Sequence, residues 1–243
     1  GSQTAAVDLP IAVSIVGDSP SGLVPGFHSA STGGSAVTQA VVSAGSTNSS
    51  NAYTYVDTPT AAGSYQVKAA IAGGNSSTSA VQSVAAPDLR FSTPNGTLTV
   101  GKGLNSYSQE VYVYRTVNGT NLNGTSALTV NLTSSDASKA NVPATVTIPA
   151  GQYRTYFKVR GVDLTNGVPV TIDATAAGYT APATKLAVNV VNPTLTINGL
   201  NGNRSTESGR DDFYISLSTP GAYYSGSQTA AVDLPIAVSI VGD

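Results

Sequence analysis

Apolar and polar positions alternate at a period of two along most of the chain. Leu9, Ile11, Val13 and Ile15 are separated by Pro, Ala and Ser; Leu128, Val130 and Leu132 by Thr and Asn; Val142, Ala144, Val146 and Ile148 by Pro and Thr; and Val111 and Val113 flank Tyr112. Successive strand side chains point to opposite faces, so each run presents one apolar face to a core. Helical spacing is hard to find. Asn-Gly pairs begin at Asn95, Asn118, Asn123, Asn166, Asn198 and Asn201, and Asn-Gly accepts the positive φ angles of tight hairpin turns. Short strands with frequent turn signals predict an all-β chain of sandwich type.

One of these strands is present twice. The eighteen residues GSQTAAVDLPIAVSIVGD occupy positions 1–18 and again 226–243. An identity of this length reads as one slightly over-cut period of a tandem array, or as one strand supplied twice. Either way the pattern is that of a repeating fibre.

A fainter repeat lies inside this period. Pro87-Asp-Leu89-Arg-Phe91 matches Pro193-Thr-Leu195-Thr-Ile197, and Val111-Tyr112-Val113 matches Phe213-Tyr214-Ile215. Leu128-Thr-Val130-Asn-Leu132 matches Ile236-Ala-Val238-Ser-Ile240 and its copy at 11–15; residues 170–178 match 65–73, and 186–193 match 80–87. The matches predict two Ig-like sandwiches per period, one of them permuted. Residues 87–192 form the complete sandwich. Residues 1–86 form the later part of a sandwich lacking its first strands, and residues 193–243 supply the opening strands of the next.

A sandwich without its first strands has an open sheet edge and an uncovered core face. The missing pieces can come from the same chain, from the next copy, or through covalent continuity. Supply in trans is head-to-tail and does not close, so it builds a filament. The assembly interface expected on this reading comprises Leu9, Ile11, Val13, Ile15, Phe213, Tyr214, Ile215, Leu234, Ile236, Val238 and Ile240. Tyr53, Tyr55, Tyr65, Tyr223 and Tyr224 are further interface aromatics, each also readable as an ordinary half-buried strand residue.

Composition narrows the chemistry. A tenth of the residues are charged, the net charge is −2, and Cys, Met and Trp are absent, so nothing draws nucleic acid or an anionic membrane. No apolar run approaches a spanning helix, and neither end carries a leader, so the expectation is a soluble interior piece of an extracellular protein. With no cysteine and His28 as the sole histidine, a cysteine nucleophile and a multi-histidine zinc site are excluded within one chain. His28 stands in Gly26-Phe-His-Ser, reads as loop, and follows no nucleophile-elbow pattern. Asp211 and Asp212 are adjacent, so on a strand they point apart and make a poor glycosidase pair. Gly101-Lys-Gly103 is too short to cradle phosphate. The chain therefore reads as no enzyme and as needing no cofactor. Sequons at Asn48, Asn75, Asn95, Asn118, Asn123, Asn131 and Asn203 allow a glycan, and Lys68, Lys158 and Lys185 on strands are candidates for intramolecular cross-links.

Val146-Thr-Ile148-Pro-Ala-Gly151-Gln-Tyr-Arg-Thr-Tyr156-Phe-Lys-Val159, followed by Thr171-Ile172-Asp-Ala-Thr-Ala-Ala-Gly178-Tyr179, resembles the bacterial Ig-like and Calx-β-like tandem repeats of giant extracellular surface proteins. The resemblance implies a spacer, adhesin stalk or surface-fibre subunit at the cell surface, with copies of itself as partner. Calx-β members often hold calcium between domains. Here acidic residues are sparse: Glu207 lies near Asp211 and Asp212, while Asp136 and Asp163 could be loop ligands but read first as turn caps. The expected function is that of a structural repeat unit in a filament or surface assembly. The alternative is an adhesin whose loops hold a carbohydrate or protein, with residues 19–51 as the one long irregular stretch.

Overall fold

The structure, a computed structural model, describes residues 3–49 and 53–241. The described residues contain no helix. They form twenty-three strands in six sheets, an all-β architecture in two compact units, residues 1–86 and 87–243.

The first unit begins with β1 (Leu9–Ser19), followed by β2 (Phe27–His28), β3 (Ala36–Val37), β4 (Gln39–Val42), β5 (Tyr55–Val56), β6 (Gly63–Ala70), β7 (Ser76–Thr78) and β8 (Gln82–Val84). Its main sheet runs β4-β1-β6-β7, with β8 also on β6, and β3-β2-β5 forms a smaller sheet. The central strand β1 lies antiparallel to both neighbours, with Ile11 opposite Ala40 and Ile15 opposite Val67. Leu9, Ile11, Val13 and Ile15 alternate with exposed residues as their period requires, yet none is fully buried. The buried apolar residues of this unit are Leu23, Val24 and Phe27. Residues 19–51, expected to be irregular, hold β2, β3 and β4, because short strands that pair across long loops leave little periodicity to read.

In the second unit the strands are β9 (Asp88–Ser92), β10 (Thr97–Gly101), β11 (Leu104–Asn105), β12 (Tyr112–Val117), β13 (Thr120–Asn121), β14 (Leu128–Ser134), β15 (Ala140–Asn141), β16 (Thr145–Ile148), β17 (Arg154–Tyr156), β18 (Arg160–Gly161), β19 (Val170–Thr175) and β20 (Leu186–Val191). One sheet runs β10-β20-β19-β14-β16; another runs β13-β12-β17 with β9 on β12. Between them Leu89, Val111, Val113 and Phe157 meet Val130, Leu132, Ile172, Val188 and Val190 in one core. Between the named strands the pairing is antiparallel except that β10 lies parallel to β20, and isolated parallel bridges join Asp88 to Thr180 and Lys102 to Gly161. The β12–β13 turn is the expected Asn-Gly turn, with Asn118 and Gly119 at φ 49° and 75°, the geometry that matches the strand twist.

Arg115 is also inside, in phase with Val113 on β12 and with Val111 just before it, and is 1% exposed. Its guanidinium donates to the carbonyls of Ser126 at 2.9 Å, Pro149 at 3.0 Å and Gly124 at 3.1 Å, and through Nε to Gln152 at 2.8 Å. Five N–H donors in a rigid fork suit a ring of loop carbonyls. Gly124 is required here, because a Cβ would collide with the guanidinium.

The remaining residues contribute β21 (Thr194–Asn198), β22 (Tyr214–Ser218) and β23 (Thr229–Ala230). The first two form an isolated hairpin, and β23 joins the edge sheet β15-β18-β11-β23.

Candidate assembly surface

The hairpin β21–β22 reproduces β9–β12 pair for pair. In β9–β12, Asp88, Leu89, Arg90, Phe91 and Ser92 face Thr116, Arg115, Tyr114, Val113 and Tyr112. In β21–β22, Thr194, Leu195, Thr196, Ile197 and Asn198 face Ser218, Leu217, Ser216, Ile215 and Tyr214. These are the same pairs under the internal repeat. Their environments are opposite. Leu89 is 1% and Val113 0% exposed, whereas Leu195 is 54%, Ile197 56% and Phe213 43% exposed.

The duplicated strand also meets two environments. In residues 9–16 it is the centre of a sheet, paired on both edges. In residues 234–241 the same side chains form no strand. Leu234 and Ile236 are half-buried, while Val238 and Ile240 are 59% and 86% exposed. Val238 and Ile240 line an open groove of about 520 Å³ with Ile197, Leu200 and Phe213. Strand structure depends on a paired neighbour more than on local preference, which accounts for one sequence in two states.

Ahead of residues 234–241, the tail copy is fixed to the sandwich by Gln228. Its Oε1 accepts from Gly101 N and from Thr219 Oγ1, and its Nε2 donates to Thr99 O, each at 2.8 Å. Gln228 is 8% and Thr219 0% exposed. Leu104 and Asn105 of β11 then pair with Ala230 and Thr229, and Tyr224 packs on Tyr107 with ring centroids 4.6 Å apart. Nothing in the alternation marks Gln228; its role arises from contacts more than a hundred residues away in the sequence.

Other singled-out residues are engaged locally. His28 lies on β2 rather than in a loop, and its Nδ1 is 2.5 Å from Asp57 Oδ1, a partner 29 residues on that the sequence does not flag. Asp136 accepts from Ser138 in its own turn, and that bond holds its carboxyl below the usual range. Asp163 is held low by Lys102 at 2.6 Å, and Asp173 by Lys185 at 2.7 Å, which makes Lys185 half of an ion pair. Asp211 accepts from Asn201 N at 2.8 Å and pairs with Arg204. Among the described residues no three His, Cys, Asp or Glu side chains gather as metal ligands. The seven sequon asparagines are all exposed. Tyr53, Tyr214 and Tyr223 are more than half exposed.

A second aromatic surface escaped the sequence pattern. On β9, β12 and the approach to β17, Arg90 stacks 4.5 Å from the Tyr114 ring and Arg154 stacks 4.5 Å from Tyr112 and 5.4 Å from Tyr153. The alternating slots of β12 that face away from the core carry Tyr112 and Tyr114, Tyr153 immediately precedes β17, and cation–π stacking holds the arginines over them. Arg154 also donates to the Tyr114 hydroxyl at 2.8 Å, which raises its already high pKa.

No protein-family model matches the chain, and comparison with curated proteins finds no match. Among solved structures, the chain is similar to domains 4 and 5 of the S-layer protein SbsC at 20% identity and TM-score 0.36, covering 78% of this chain and 73% of that one. SbsC domains 4–9 are 18% identical at TM-score 0.38, with 91% and 29% covered. The S-layer protein rSbsC(31-844) is 18% identical at TM-score 0.36, with 96% and 32% covered. The chain thus spans about a third of these two longer structures. At such identities and scores the likeness carries no argument about what this chain does.

Proposed function

We propose that the chain is a structural repeat unit of an extracellular bacterial filament or surface assembly, joined head to tail by β-strand complementation or as a tandem polyprotein. Its work is mechanical. The observation that carries this reading is a pair of half-cores: a sheet in residues 1–86 whose apolar strand face is only partly buried, and a hairpin in residues 193–218 whose apolar face is open. In the complete sandwich the equivalents of these two pieces face each other across one core. The paired Ig-like and Calx-β-like organisation belongs to the same proposal, and so does any glycan on the exposed sequons.

The energetics favour joining. If the tail copy of one chain replaces β1 in the next, identical residues make identical pairings, so the exchange is nearly neutral. The net gain is burial of the hairpin face, up to about 1.5–3 kcal/mol for each large apolar side chain fully covered. Leu195, Ile197 and Phe213 are the principal contributors. Removal of residues 193–243 therefore abolishes assembly, as sedimentation and negative-stain microscopy would show. A truncated chain that still forms filaments would contradict the reading. The mass of the native polypeptide under denaturing conditions separates the two forms: near 24.3 kDa for separate subunits, many times larger for a polyprotein.

The arginine-stacked tyrosine face supports a second reading, an adhesin stalk or carbohydrate-binding module. Reproducible signal on a glycan array that is lost in Tyr156→Ala and Tyr112→Ala would favour it; a blank array would remove it.

A further inference from the structure

The two copies of the duplicated segment bond to different things through different edges of the same backbone. In the tail copy, Ala231 N donates to Gly103 O at 2.9 Å, and Ala230 lies opposite Leu104 of β11. Hydrogen-bonded and non-bonded pairs alternate along an antiparallel ladder. With Ala231 and Thr229 bonded toward β11, the N–H and C=O of Ala230 point to the other edge. In the leading copy the residue equivalent to Ala230 is Ala5, and its groups are those in use. Ala5 N donates to Ser46 O at 2.9 Å and Ala5 O accepts from Gly45 N at 2.8 Å. Three residues on, Asp8 Oδ1 accepts from Ala44 N at 2.8 Å.

The two bonding sets are complementary and use no backbone group in common. The side chains agree: Gln228 is buried in its clamp on Thr99 and Gly101, whereas its equivalent Gln3 is exposed. Each copy thus satisfies half of what one segment can satisfy. We propose that residues 228–231 form a strand shared between two successive copies of this chain. One edge is bonded to β11 of its own sandwich, and the other takes the turn at residues 44–46 of the next copy. This rests on the head-to-tail reading above and adds the partner surface and the geometry of the joint. The junction is a paired strand pinned at both edges, so successive sandwiches are held at a fixed angle. A flexible linker would leave the Ala230 edge in water.

Disulfide trapping tests this cleanly, because the chain has no cysteine and every cross-link formed is the one introduced. The first variant carries Ala230→Cys and Ser46→Cys, small changes at residues whose intrachain counterparts are joined by a direct backbone bond, within the span a disulfide bridges. The second carries Ser239→Cys and Lys68→Cys. Ser239 is the copy of Ser14, which lies opposite Lys68, so this pair reports tail-strand complementation alone. Both full-length variants are oxidised with copper phenanthroline after assembly and run on non-reducing denaturing gels. The expected result is a ladder in steps of one chain for both variants, with most of the chain in the ladder. A ladder from the 239/68 pair and none from the 230/46 pair overturns the shared strand and leaves complementation standing. A cross-link at 230/46 that stays within one chain also overturns it. Absence of both ladders removes strand complementation between separate chains and the shared strand together. A ladder from 230/46 alone supports the junction and contradicts strand exchange.

Discussion

Arg115 closes the loop end of the two-sheet core in the second unit. Its four carbonyl partners come from residues 124, 126, 149 and 152, and removing it leaves those partly buried oxygens without their donor beside a cavity. Arg115→Ala is expected to cost about 3 kcal/mol or more, read as a lower urea midpoint for unfolding of the second unit. Arg115→Lys should recover little, because an ammonium lacks the planar fork. The position was partly legible: residues 111, 113 and 115 share one face of a strand, so a charge in the third slot marks a buried guanidinium. Its partners were not, since loop carbonyls leave no trace in side-chain pattern. Glu110 is another buried charge-bearing group, 3% exposed, with Oε2 lacking a hydrogen-bond partner. Burial pushes its pKa up, against a smaller opposing effect from Tyr107 N–H. The unfolded chain then releases this proton at lower pH than the folded one, so stability falls as pH rises from the ordinary glutamate range through the raised folded value. Glu110→Gln removes that decline. Thermal unfolding should show the variant gaining on the parent at pH 7 relative to pH 4; an equal difference at both pH values would contradict the assignment.

At the scale of elements, the two hairpins form a matched experiment. Leu89 and Leu195 occupy the same place in the same register, one in a core and the other in water. Leu89→Ser should destabilise the second unit by about 3 kcal/mol or more, through lost burial and a cavity. Leu195→Ser in the unassembled chain should change stability by no more than about 0.5 kcal/mol, yet weaken assembly. Equal losses of stability in both variants would mean the hairpin is already packed. Period-two alternation made the strand class legible along most of the chain, and the internal repeat pointed to the hairpin pairs. It did not reveal that residues 234–241 form no strand while residues 9–16 do, because identical local sequence cannot encode a difference in neighbours. The short strands β2, β3 and β5 were likewise invisible, as two residues carry no period.

Across the whole molecule, the described residues divide their cores unequally. Three buried apolar side chains lie in the first unit, nineteen between Leu89 and Val190, and none in residues 193–241. On the proposed reading, the open hairpin face is stabilised by joining the partly buried sheet face of the next copy, and the duplicated strand supplies the common element. The most direct measurement is amide hydrogen exchange on the unassembled chain and on its assemblies. The account predicts that β22 and residues 234–241 exchange fast in the free chain and become protected on assembly to the level of β12 and β14, their counterparts in the complete sandwich. Assemblies in which the hairpin and the tail copy still exchange as fast as in the free chain would contradict it.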